Sequence, residues 1–235
     1  RNWTRDRGTH VDFDLTPQQL EFMAAIKDMC VRNKAFRGRG SQDDELARFS
    51  PEKWRDCCEL GVLSLPVPKQ CGGLGESMLT TALAIRTLSQ HCDDEGLIFS
   101  LCAHLCTGMV PILLHGSEAQ KQAFLPAMAS GECISGNGVT EADAGSDIAA
   151  MQLRVETKDT DYWLRGSKIY VTNGSIANLL VVYARHATGM RNADISAFLV
   201  PTNTTGFQVG QIWNKMGLRS SPLCEVVLDD CVLGK

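Results

Sequence analysis

The stretch Gly136-Asn137-Gly138-Val139-Thr140-Glu141-Ala142-Asp143-Ala144-Gly145-Ser146-Asp147 is where this 235-residue chain changes character. Little in it can fill a core. Glycines let backbone approach a bound group closely, so such a loop can set N–H groups and the hydroxyls of Thr140 and Ser146 against an anionic or heteroaromatic ligand. The same composition also suits a solvated loop of turn formers between two structural regions. Its neighbours on either side show which kind of chain it joins.

Upstream the pattern is helical. Thr16-Pro17-Gln18-Gln19 combines an N-cap Thr, a Pro at the first helical position and a Gln three residues on, ahead of Leu20, Met23, Ile26, Lys27 and Cys30 at near-helical spacing, which predicts a helix over Pro17 to Lys34. Ser50-Pro51-Glu52 repeats the device before Trp54, Cys57, Cys58 and Val62, and Ser117-Glu118-Ala119-Gln120 repeats it before Phe124 and Leu125. Leu79 to Gln90 and Leu97 to Leu114 are apolar on more than one face, as helices at the centre of a bundle are. Pro66 to Gly75, dense in Pro and Gly, reads as a loop between helices.

Downstream the period becomes two. Leu153, Val155 and Thr157 alternate with polar residues, Lys158-Asp159-Thr160-Asp161 supplies a turn, and Tyr162 to Ser167 alternate again, which predicts a hairpin. Leu179 to Arg185, Ile195 to Val200, Phe207 to Ile212 and Glu225 to Leu233 are further strands, a pattern of short strands that implies a small barrel or sandwich. The fold class is α+β, with a helical domain over residues 1–130 and a β domain over 131–235.

Bulk properties narrow the function. With 44% hydrophobic and 21% charged residues the chain has a globular composition. A net charge of -4 and no basic run longer than Arg37-Gly38-Arg39 argue against nucleic acid or an anionic membrane as a partner. No apolar stretch reads as a membrane span, and the start, Arg1 to Arg7, has no apolar signal core, so a cytoplasmic protein is expected. Because the chain does not begin with Met, a targeting segment removed from the natural protein stays open. The ten cysteines sit in apolar, helix-like stretches and are expected to be reduced and buried. Cys102-Ala103-His104-Leu105-Cys106 mixes metal-ligand types but has no second cluster at ligand spacing, so no metal is expected. His104 is expected to be satisfied within a buried helix. His91 and His115 fall at helix ends, His10 and His186 in exposed segments, and Asp43-Asp44-Glu45 and Asp93-Asp94-Glu95 read as solvated turn or helix-start charges.

Val139 to Asp147, followed after a hairpin by Gly166-Ser167-Lys168-Ile169-Tyr170-Val171-Thr172-Asn173-Gly174, resembles the paired signatures of acyl-CoA dehydrogenases. Ile195 to Val200 and Lys215-Met216-Gly217-Leu218-Arg219-Ser220-Ser221 resemble later pieces of that family in the same order, so the resemblance covers nearly the whole chain. It implies a helical N-terminal domain, a β-barrel middle domain and FAD beside them, with the family's C-terminal helical bundle absent here. It also implies that Asn137, Val139, Thr140, Gly145, Ser146, Tyr170, Val171 and Thr172 line FAD, and that Ser146 sits near the pyrophosphate or the thioester arm of the substrate. Tyr170 stands where the family often has Trp, and Ala142 where it usually has Pro; Asn137 replaces a commonly larger aromatic residue.

The family removes an α-proton from an acyl thioester with a carboxylate while the β-carbon gives a hydride to the flavin. That base lies in the C-terminal part of the family's chains, so the catalytic residue is unknown here. The helix Gly96 to Cys106 resembles, more narrowly, flavoenzymes that oxidise prolyl groups on a carrier protein during pyrrole biosynthesis. The resemblance thus implies an acyl or aminoacyl thioester as partner, on coenzyme A or a carrier protein, an electron acceptor of unknown identity, and a homo-oligomer. The alternatives are a flavin oxidase or monooxygenase on the same scaffold, and a non-catalytic thioester-binding module. Glu225 to Lys235 ends a strand without a terminal helix or polar tail, which reads as truncation.

Overall fold

The computed structural model describes residues 14–37, 40–186 and 194–234. The arginine-rich start, His10, and Gly38 and Arg39 of the short basic patch lie outside them.

Among the described residues seven helices come first: α1 (Pro17–Arg32), α2 (Gly40–Glu45), α3 (Pro51–Glu59), α4 (Met78–His91), α5 (Glu95–Cys102), α6 (Val110–His115) and α7 (Glu118–Ser130). The expected start signals work as atoms. The Thr16 hydroxyl accepts from Gln19 N at 3.2 Å while the Gln19 side chain accepts from Thr16 N at 3.0 Å, and Ser117 and Gln120 close the same box on α7. α1 stops at Arg32 rather than Lys34 because Asn33 turns extended and caps a short 3-10 turn with its side chain. α3 stops at Glu59, short of Val62, because Gly61 takes a positive φ of 86°; Val62 is buried in the core all the same.

α5, a π-helical segment Ala103–Met109 and α6 run on as one helix, Glu95–His115. This corrects one expectation: at 21 residues that helix is long and apolar enough to cross a membrane by length and composition. Half of its apolar window is buried inside the molecule, where it packs on α4, α7 and the first strand, as a central core helix does.

The seven strands among the described residues are β1 (Ser135–Gly138), β2 (Arg154–Lys158), β3 (Asp161–Thr172), β4 (Leu179–His186), β5 (Ile195–Pro201), β6 (Phe207–Ile212) and β7 (Leu223–Gly234). They form one curled sheet, a half-barrel, in the order β1-β4-β2-β3-β7-β6, with β5 paired to β4. β4 is flanked on both edges, and its run Leu179 to Val182 is buried throughout, which is why it reads as continuous apolar sequence. β1 was expected to be loop. It pairs in parallel with β4, Ser135 opposite Leu179 through Gly138 opposite Val182, and carries no alternation because both faces are pressed against neighbours.

Two further expectations are corrected. Asp43 and Asp94 are not solvated: both are buried against Lys53, whose ammonium lies 2.8 Å from Asp43 and 2.7 Å from Asp94. Asp94 still caps α5, accepting from Leu97 N. His186 is half-buried, with Nε2 2.9 Å from the Ser196 hydroxyl.

Candidate functional site

A cavity of about 350 Å³ opens between the π-helical segment and the sheet. Its walls are Phe99, Cys102, Ala103, Cys106 and Thr107 from the helix, Asn137, Val139 and Thr140 from β1 and the loop after it, and Ile169, Tyr170 and Thr172 from β3. That volume lies in the range of small-ligand sites.

Small residues let the elements meet. A methyl group on Gly136 would stand 2.4 Å from the Thr172 carbonyl oxygen, and one on Gly108 would stand 2.1 Å from the Ser135 hydroxyl. β1 is thereby held tight between the π-helical segment and the end of β3. The helix turn is widened to the π form where it faces β1, a local change common at functional sites. Asn137 ties the two together, donating its Nδ2 to the Thr107 carbonyl at 3.1 Å.

His104 anchors the same contact from behind. It is fully buried, its Nδ1 accepts from Ser135 N at 3.1 Å and lies 2.9 Å from the Ser135 hydroxyl, and its Nε2 donates to the Met128 carbonyl at 3.1 Å. The Ser135 amide can only donate, so Nδ1 is the acceptor and the proton sits on Nε2. Burial pulls its pKa down to about 4, which keeps the ring neutral. Cys106 is exposed, an exception to the expected burial of the thiols, and all ten thiols are free.

β3 bends at the cavity. Its register against β7 shifts between Lys168 and Val171, and Tyr170 takes a φ of 56°, so the bulge turns the Tyr170 ring outward, 5.4 Å from the Trp213 ring. Past the bulge the Val171 side chain packs in the sheet core while Thr172 faces the cavity. Of the residues expected to line one site, Asn137, Val139, Thr140, Tyr170 and Thr172 come together. Gly145 and Ser146 sit on the exposed outer turn of the same loop, outside the cavity wall.

The hydroxyls of Thr140 and Thr172 and the amide N–H groups of Val139 and Thr140 have no hydrogen-bond partner among the described residues. Their carbonyls are fixed from behind: Lys168 Nζ donates to Val139 O at 3.0 Å, and Ile169 N donates to Thr140 O at 2.8 Å. Lys168 is fully buried and pairs at 2.7 Å with Glu141, which also accepts from Gln152 N and Leu153 N. Burial pulls the Lys168 pKa down, and Glu141 opposes that pull. Sequence reading missed this pair. An inward-phased lysine on a strand, with a lone glutamate in the facing loop, was the available signal.

Comparison with known proteins fits this arrangement. Residues 16–132 match the acyl-CoA dehydrogenase N-terminal domain and residues 136–231 the acyl-CoA dehydrogenase middle domain. The chain is 38% identical over 222 residues to an L-prolyl-[peptidyl-carrier protein] dehydrogenase of Serratia sp. (strain ATCC 39006), covering 94% of this chain and 56% of that protein. It is 31% identical to the short-chain specific acyl-CoA dehydrogenase of Clostridium acetobutylicum, covering 95% of this chain and 58% of that one. A solved structure of PigA with FAD and proline superposes with a TM-score of 0.88 at 33% identity, over 96% of this chain and 58% of that chain. The chain therefore spans a little over half the length of these relatives. It belongs to the acyl-CoA dehydrogenase family and carries that family's N-terminal and middle-domain sequences.

Proposed function

We propose that these residues are the flavin-holding part of an FAD-dependent dehydrogenase of acyl or aminoacyl thioesters. The observation that carries this is a set of donors on residues lining one cavity that have no partner among the described residues: the hydroxyls of Thr140 and Thr172 and the amides of Val139 and Thr140, beside an exposed tyrosine ring. A planar heteroaromatic ring with acceptors along its edges fits that set, and FAD, when bound, supplies a two-electron acceptor at such an edge.

In this reading Thr172 holds the reactive edge of the ring and Thr140 its pyrimidine side, Tyr170 covers one face, and Asn137 fixes the wall between helix and sheet. Gly145 and Ser146, on the outer turn, meet the pyrophosphate or the thioester arm. Phe99, Cys102, Ala103 and Cys106 give the acyl group an apolar wall. No Asp or Glu lines the cavity among the described residues, so removal of the α-proton belongs to a carboxylate elsewhere in the protein.

The finer reading, a prolyl group on a carrier protein as substrate, is supported by the likeness to the Serratia enzyme and by the helix Gly96 to Cys106. A homo-oligomer is part of the same proposal.

The test is an anaerobic titration of the purified full-length protein, following visible flavin absorbance while matched acyl and prolyl thioesters are added on coenzyme A and on a carrier protein. Bleaching by one thioester is expected and identifies the donor class. A protein that carries no flavin, or whose flavin no thioester bleaches, overturns the dehydrogenase reading in favour of a binding module.

A further inference from the structure

We propose that Lys168 is a positioning residue that tunes the bound ring through the Val139–Thr140 peptide group. The inference rests on the flavin reading above and adds to it how the chain biases the ring toward its reduced state.

Lys168 does not reach the cavity wall; it lies fully buried behind it, on β3. Its ammonium donates to the Val139 carbonyl at 3.0 Å. That carbonyl shares a peptide group with the Thr140 N–H, and no peptide bond among the described residues is cis. In a trans peptide the two dipole ends point in opposite directions. With the oxygen turned back to Lys168, the Thr140 N–H points away from it, and it has no acceptor among the described residues. The Ile169 amide holds the next carbonyl, that of Thr140, so the peptide group cannot rotate freely.

A cation on the oxygen of an amide draws density from its nitrogen and makes the N–H a stronger donor, as hydrogen bonds in a chain polarise one another. The effect is largest where solvent is excluded, and the Lys168 ammonium is sealed by Glu141, Val139 and the Met151 sulfur. The Glu141 carboxylate pairs with that ammonium at 2.7 Å, and its remaining hydrogen bonds come from the backbone amides of Gln152 and Leu153. On reduction the ring gains two electrons and its pyrimidine edge becomes a better acceptor. A stronger Thr140 donor therefore favours the reduced ring over the oxidised one.

The experiment compares the full-length flavoprotein with the double variant Lys168→Gln/Glu141→Gln. The paired change removes both buried charges together and leaves an amide able to donate to Val139. Lys168→Arg, which keeps the cation, is the conservative control. The readouts are the flavin midpoint potential and the affinity of the apoprotein for oxidised FAD. The double variant is expected to favour reduced flavin about tenfold less than the parent, a negative shift of about 30 mV for a two-electron couple, and Lys168→Arg to keep most of the parental potential.

A purely structural role predicts otherwise: a loosened loop weakens both redox forms alike and leaves the potential in place. An unchanged potential with flavin bound overturns the role of Lys168 and leaves the flavin reading standing. A parent protein that binds no flavin overturns both. If the double variant does not fold, Lys168→Gln alone, which removes the cation from the Val139 carbonyl, is expected to move the potential in the same direction, and no movement there overturns the proposal.

Discussion

At the scale of single residues, His104 and Thr172 make separable predictions. His104 is held neutral, its pKa drawn from the ordinary 6.5 to about 4 by complete burial. A histidine with a depressed folded-state pKa contributes stability that is full above the unfolded value; as pH falls from 6.5 to 4 the unfolded chain takes up a proton that the folded one refuses. At ~1.4 kcal/mol per unit the loss across that window is about 3 kcal/mol. Urea denaturation at pH 7.5, 6, 5 and 4 should show that decline in the parent and a shallower one in His104→Gln, which is less stable at pH 7.5; equal slopes would refute it. Thr172→Val keeps shape and removes only the unpartnered hydroxyl, so stability should change by less than about 1 kcal/mol while stopped-flow reduction of bound flavin slows by roughly tenfold or more. Reduction at the parental rate removes Thr172 from the role assigned to it. Both residues stood out in the sequence, Thr172 by its motif and His104 by its apolar helix. Lys168 did not, because its meaning depends on Glu141, a partner 27 positions away that only the folded loop brings near.

At the scale of elements, the helices were legible where local chemistry decides them, and the strands where alternation survives burial on one face. β1 was not legible. Its Ser-Gly-Asn-Gly sequence has neither propensity nor period; it is a strand because β4 offers it an edge and because small residues fit between the π-helical segment and Thr172. Two glycines of one stretch therefore make opposite predictions. Gly136→Ala forces a methyl against the Thr172 carbonyl and should cost roughly 1–3 kcal/mol and release flavin from the purified protein. Gly145→Ala, whose added methyl meets no protein atom within 4 Å, should stay within about 0.5 kcal/mol of the parent's stability. Melting temperature and the flavin-to-protein absorbance ratio read both effects. A Gly136→Ala protein that retains full flavin would mean the β1–β3 contact does not set the cavity. Val171 teaches the same lesson: its motif put it at the site, its side chain packs in the sheet core past the bulge, and no residue in Lys168-Ile169-Tyr170 announces the extra step.

At the scale of the molecule, the change of period near Gly131 is real, since α7 ends there on a left-handed glycine, yet the helical and β parts are not energetically separate. One apolar cluster runs from Val67, Leu105, Met109 and Leu125 to Leu179 of the sheet. Polar links run beside it. Ser100 of α5 meets Ser221 at 2.8 Å, Asn173 donates to the carbonyls of Ser100 and Ser135, and Asp94 accepts from Ser220 at 2.5 Å while it pairs with Lys53. Burial pulls the Lys53 pKa down, but Asp43 and Asp94 outweigh it and hold the ammonium charged. Sequence could not show this, because acidic runs look solvated until a buried cation is placed between them. Lys53→Met leaves the buried Asp94 without its cation and Asp43 with Arg48 alone, and should cost about 3–5 kcal/mol. Because Asp94 also holds the loop ahead of β7, the loss should spread past α3 and α5. Native-state hydrogen exchange should find faster exchange in the amides of β7 as well as in those helices. Protection lost from the helices alone, with β7 unchanged, would mean that the two parts open independently and that their shared core and hydrogen bonds do not couple them.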